Sequence, residues 1–182
     1  QMANWYSDIF GADGSADSAI ASPKTIAARG KQGDELLVKR ATITVLDSAA
    51  ADVCWMFSMG SGDRLYELRY GYDGGWSASS SSELGLYTFA ETHDGAVLDV
   101  DLFGASIDLS TAAVDITTET FSAGALGGED RGKQMWQLLE IGATQSYTVD
   151  PGVRYDLCMT LSGNDDATSS TLVVYALYTA GG

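Results

Sequence analysis

The stretch from Leu84 to Ser110 constrains this chain more than any other. Two apolar runs, Leu84 to Ala90 and Ala96 to Phe103, flank the polar Glu91-Thr92-His93-Asp94-Gly95. An Asp-Gly step between alternating runs predicts a β-hairpin. In the second run Val97, Asp99, Asp101 and Phe103 share one phase, while Leu98, Val100 and Leu102 share the other. Successive strand side chains point to opposite faces, so the acidic phase is expected in water and the aliphatic phase in a core. After Phe103 the chain is expected to leave the sheet through one helical turn capped by Ser110.

The same pattern recurs along the chain. Glu35 to Leu46, Val53 to Gly60, Arg64 to Tyr72, Val153 to Gly163 and Ser170 to Ala180 are alternating runs bounded by turn residues, and Gln145 to Val149 is a shorter strand candidate. In the third of these, Tyr66, Leu68, Tyr70 and Tyr72 form an aromatic phase expected to pack a sheet. One segment reads as helix, near 131–141: Met135, Trp136, Leu139 and Gly142 fall on adjacent turns, with Asp130 as N-cap and Gly142 as a left-handed stop. About eight short strands, 21 glycines and 9 tyrosines favour an all-β fold, a β-sandwich of jelly-roll type over an up-and-down barrel. Trp55, Phe57, Leu98, Val100, Trp136, Leu157, Leu161, Val173 and Tyr175 are the expected core.

Residues 1–34 lack a sustained period and read as an N-terminal arm, leaving 35–182 as the sandwich domain. Trp5, Tyr6 and Phe10 are the arm's candidate partner anchors, the alternative being a disordered terminus. Thr117 to Arg131 reads as a polar loop of the length used for contacts, with Phe121 and Leu126 inside it. Trp76 stands alone in a Gly/Ser-rich loop, where it either folds back onto the sandwich edge or anchors a partner or a sugar.

A net charge of −15 repels phosphate and argues against a nucleic-acid partner. Nothing approaches the roughly 18 consecutive apolar residues of a membrane span, and no secretory signal is visible. Cys54 and Cys158 read as free thiols with no metal-ligand spacing. The sole histidine, His93, falls in a turn beside Asp94 without a serine elbow, so it does not make a triad. The outward pair Asp99 and Asp101 reads as a solvated face more readily than as glycosidase carboxylates. Neither Asp99, Asp101 and Asp108 nor Asn164, Asp165 and Asp166 follows the spacing of a calcium loop. No phosphate-cradling glycine motif is present, so neither an enzymatic activity nor a cofactor is expected.

Six segments taken in order carry a resemblance: KRATITVLDSAAADVCWMF, GDRLYELRYGYD, GAVLDVDLFGASIDLSTA, DRGKQMWQLLEIG, DPGVRYDLCMTL and TLVVYALYT. From about Leu37 to Ala180 the chain resembles a family of small structural proteins encoded by tailed bacteriophages, often among the head genes. The resemblance implies a virion component, a capsid decoration or cement protein with a β-sandwich body, and the net charge of −15, which packaged DNA would repel, then sets the expected place on the outer capsid surface. Its implied partners are the phage major capsid protein and further copies of itself. Asp34-Glu35 before the first strand, the Ser79 to Ser82 loop and the Thr117 to Gly128 loop depart from that family's pattern. A carbohydrate-binding module using Trp76, and more remotely a glycosidase using Asp99, are the alternatives from other classes.

Overall fold

The computed structural model describes residues 4–6, 35–45, 49–73, 76, 80–93, 95–110, 114–119, 126–142, 146–161 and 170–181. Among the described residues, alternation drives the runs into nine strands: β1 (Asn4–Tyr6), β2 (Leu37–Val45), β3 (Val53–Gly60), β4 (Arg64–Tyr72), β5 (Ser81–Thr88), β6 (Val97–Asp108), β7 (Val114–Glu119), β8 (Arg154–Leu161) and β9 (Ser170–Thr179). They form a five-stranded sheet, β1-β3-β8-β5-β6, and a four-stranded sheet, β2-β9-β4-β7. The protein is an all-β sandwich.

Setting β1 aside, the antiparallel pairs are nested: β5 with β6, β4 with β7, β3 with β8, and β2 with β9. A long hairpin rolled up on itself has this order, which is the strand order of a jelly roll. β1 joins the β3 edge in parallel, Asn4 opposite Val53. Between the sheets Phe57, Leu84, Leu86, Leu157 and Met159 meet Ile43, Leu65, Leu68, Leu172, Val174 and Ala176, all buried.

The expected β5–β6 hairpin is present, but its connection is a helical turn, α1 (Ala90–His93), followed by Gly95 at φ +61°. A β-carbon on Gly95 would lie 2.3 Å from the Trp55 ring, so the turn folds down over the outer face of the five-stranded sheet.

Simple alternation fails in β6. Leu84 pairs with Gly104 while Leu86 pairs with Asp99, so two steps along β5 span five along β6. This wide bulge buries Leu102 and Phe103 in succession, although the alternation placed Phe103 in the wet phase. Leu98 and Val100, expected in the core, are half-buried. In β9 the phase is the reverse of the one expected: Leu172, Val174, Ala176 and Tyr178 are buried, and Val173 and Tyr175 are half-exposed on the outer face. In β4 a shift between Leu65 and Glu67 buries Leu65 and Leu68 and leaves Tyr66 and Tyr70 half-exposed.

Residues 146–149 are irregular where a strand was expected, and β7 runs three residues into the segment 117–131 that reads as a loop. Residues 111–113, the remainder of the helical turn expected after Ser110, lie outside the described residues.

The late helix, α2 (Met135–Gly142), starts four residues beyond the expected boundary. Asp130 is not its cap: its carboxylate closes a 3₁₀ turn, Gly128–Asp130, by accepting the Gly127 amide at 2.7 Å and Lys133 Nζ at 2.6 Å. The Gln137 side chain accepts the Gln134 amide at 3.0 Å and so caps α2 from its third residue. Gly142 does not take a left-handed conformation; a β-carbon there would lie 2.1 Å from Leu102 Cδ1, so the glycine permits close packing on β6.

Met135, Leu138 and Leu139 are the residues α2 buries, while Trp136 is half-buried with its indole N–H on Gln134 Oε1 at 2.9 Å. Leu139→Ala is therefore expected to cost about 2–5 kcal/mol, and Trp136→Ala about half of the 3–5 kcal/mol of a fully buried tryptophan. Urea unfolding of both variants checks the ranking, and a larger loss for Trp136→Ala would reassign the buried face of the helix.

Candidate functional site

Groups able to do chemistry are mostly committed to the fold. Cys54 lies opposite Met159 and Cys158 opposite Trp55, so the two thiols occupy opposite faces of one sheet and stay free. Burial pushes both thiols up, which keeps them protonated and poor nucleophiles. Asp99 and Asp101 meet on the β6 bulge, where burial, then a hydrogen bond to the Asp101 side chain, raises the Asp99 carboxyl. Among the described residues no three His, Cys, Asp or Glu side chains gather as metal ligands would.

Asp156 is the deepest acid on the outer face of the five-stranded sheet, 1% exposed, and its Oδ2 accepts the Ala90 amide at 2.8 Å. It thereby fastens α1 to the sheet. Close by, Arg154 donates to Ser58 Oγ at 2.6 Å and Lys39 to the Ser58 carbonyl at 2.5 Å. Burial raises Asp156 to about 6, against the opposing pull of the Ala90 amide and the Arg154 and Lys39 cations. The folded state holds this proton more tightly than the unfolded chain, so the contribution is full below the ordinary value of 3.8 and is lost as pH rises through about 6. Two units correspond to about 3 kcal/mol. Asp156→Asn, which stays neutral, is expected to flatten this part of the stability–pH curve. An unchanged slope in urea unfolding across that window would show that another group causes it.

The expected anchors divide three ways. Trp5 and Tyr6 lie in β1, paired with Cys54 and Trp55 of β3. Phe10 and Phe121 lie outside the described residues. Trp76 and Leu126 are 7% and 3% exposed and belong to the main core, so neither offers an apolar face to a partner. For Trp76 the fold-back reading holds.

The sheet arrangement creates a surface that sequence reasoning missed. On the outer face of the four-stranded sheet, Val173, Tyr175 and Leu177 project along the central strand β9, all half-exposed. Register places Val38, Arg40 and Thr42 of β2 on one side of this stripe and Glu67, Arg69 and Gly71 of β4 on the other. Tyr175 thus sits between two arginines, Arg40 exposed and Arg69 ion-paired with Glu67. Val38 is 56% exposed. Tyrosine and arginine flanking an apolar stripe is a composition enriched in protein interfaces. Both phases of β9 are apolar, so period alone could not orient it; Thr171, in the phase of Val173, was the available sign of an outward face.

No protein-family model matches the sequence, and no curated protein matches it. Among solved structures, a chain in the capsid of Ralstonia phage GP4 aligns at a TM-score of 0.53 and 12% identity, over 86% of this chain and 92% of that one. The likeness is one of fold. A chain in the capsid asymmetric unit of cyanophage Pam1 aligns over 90% of this chain and 98% of that one, at 12% identity and a TM-score of 0.49.

Proposed function

We propose that this chain is a structural protein of a tailed-bacteriophage virion, and within that class a decoration or cement protein that binds the outer capsid surface and stabilises the head. The observation that carries the reading is the fold shared, over most of both chains, with a chain of the Ralstonia phage GP4 capsid. The six-segment resemblance points the same way. The commitment of Cys54, Cys158 and Asp156 to buried structural positions supports a binding role over a catalytic one.

An outer location follows from charge. A chain of net −15 on the inner wall would face packaged DNA, a dense polyanion, without counterion release to offset the repulsion. In this reading residues 1–34 are an attachment arm to a body of residues 35–182. Trp5, Tyr6 and Phe10, with Phe121 from the 117–131 segment, contact the major capsid protein. Trp76 and Leu126 drop out of that set because they are buried. The glycan-binding alternative loses its platform for the same reason.

Purified protein added to heads that lack it is expected to decorate their exterior in many copies. Removal of residues 1–30 should weaken decoration while the body stays folded. Heads that remain bare, or cross-linking of the native protein to packaged DNA, would overturn the assignment.

A further inference from the structure

Among the described residues five large apolar side chains are exposed, by 43% to 70%: Leu36, Val38, Val97, Ile141 and Val149. Scattered exposed aliphatics are ordinary on a protein surface, but these five share one end of the sandwich. α2 marks that end, because its Met135 and Trp136 amides donate to the Asp63 and Ser61 carbonyls of the β3–β4 turn at 2.9 and 3.1 Å. Ile141 lies in the last turn of α2, and Val149 adjoins Asp150, whose Oδ1 accepts the Ser61 hydroxyl at 2.5 Å. Leu36 and Val38 flank Leu37, which pairs with Tyr178 beside the Arg64–Thr179 pair that opens β4. Val97 opens β6 opposite Tyr87, and the next residue of β5, Thr88, pairs with Tyr155 at the start of β8. Four strands ~4.8 Å apart in each of two sheets ~10 Å apart give an end face of about 15 by 10 Å before side chains are added, so one partner can touch all five.

The opposite end has another character. Asp73, whose side chain accepts the Thr171 amide at the start of β9, and Asp108, paired with Ser81, are exposed there. No lysine or arginine accompanies them among the described residues of that end, and carboxylates without a cation are costly to take out of water. Residues 7–34 meanwhile join the body at the α2 end, at Glu35 beside Leu36.

We infer that the α2 end is the face that seats on the major capsid protein, with Leu36, Val38, Val97, Ile141 and Val149 as its apolar contacts and the Asp73 and Asp108 end turned outward. The inference rests on the reading of this chain as a head protein and adds its orientation. Its partner surface is apolar protein, neither DNA nor glycan. An attachment arm that joins at the seated end meets the shell directly, whereas from the outward end it would first run the length of the body, about 30 Å at strand rise.

Decoration of heads that lack the protein, with the full chain, tests the orientation. Leu36→Glu and Val149→Glu should each weaken decoration about tenfold, and the double variant about a hundredfold. Ala50→Glu, the same charge change at an exposed position of the opposite end, should decorate like the wild type. Circular dichroism verifies that the variants are folded. Thiol labelling gives a second readout, since the native Cys54 and Cys158 are buried. On decorated heads Val149→Cys should be protected and Ala50→Cys should react. Heads that the wild type leaves bare would overturn the virion reading and this inference with it. Decoration by the wild type that the double variant matches, or a reactive Val149→Cys beside a protected Ala50→Cys, would overturn the orientation alone. So would self-association in solution that the double variant abolishes while it still decorates heads, because the α2 end would then belong to a second copy.

Discussion

Phe103→Ala is expected to lower stability by about 3–5 kcal/mol, the range for removing a fully buried aromatic side chain. Phe103 is 0% exposed and lies in the main core beside Leu102, itself 1% exposed. Two consecutive buried residues cannot occur in an unbroken strand with one wet face; the β6 bulge makes this possible by adding residues against β5. Strict alternation, which groups Phe103 with Asp99 and Asp101, would make the same substitution nearly neutral. A urea midpoint close to that of the wild type would therefore reject the bulge and restore the alternating register.

Gly85→Ala should be comparably severe, with a loss of about 3 kcal/mol, at the top of the usual overpacking range. A β-carbon at Gly85 would lie 2.1 Å from the Asp99 carbonyl oxygen and 2.4 Å from the Val100 carbonyl. These atoms are backbone, so no rotamer change relieves the clash, and the bulge would have to lift from β5. Gly128, with nothing within 4 Å of its β-carbon position, is the matched control, expected to accept alanine at little cost. If the two alanine variants unfold at the same midpoint, the close approach of β6 to Gly85 is wrong.

The strands that alternate cleanly between turn residues were readable in advance. The runs that give β3 and β4 have the boundaries of those strands, the run that gives β8 exceeds it by one residue at the start and two at the end, and the run that gives β9 exceeds it by one residue at the end alone. Nested jelly-roll order was anticipated as a class, but period carries no information on which strands pair. Errors arose where local pattern and three-dimensional context part. β9 is apolar in both phases, so its inward face is set by the opposing sheet and not by its own sequence. The bulge in β6 comes with close approaches at Gly85 and Gly142, which no single-strand pattern reveals. Trp76 in a flexible-looking loop was a sound surface candidate by composition, yet an indole has enough apolar area to favour burial over the sandwich edge. The Arg40-Tyr175-Arg69 row was invisible because its members are far apart in sequence and meet only across β2, β9 and β4.

Nesting also fixes when the sandwich can form. Leu37 of β2 pairs with Tyr178 of β9, so the strand that is translated first among the sandwich pairs waits for the strand that is translated last. Topologies dominated by such distant pairs fold in about milliseconds to seconds, because loop-closure entropy must be overcome before the contacts reward it. During synthesis β2 therefore spends its time without a partner, as an open β edge available to other nascent chains. Lys39 and Arg40 in the middle of that strand interrupt its apolar run, and such charges discourage edge-to-edge aggregation during the wait.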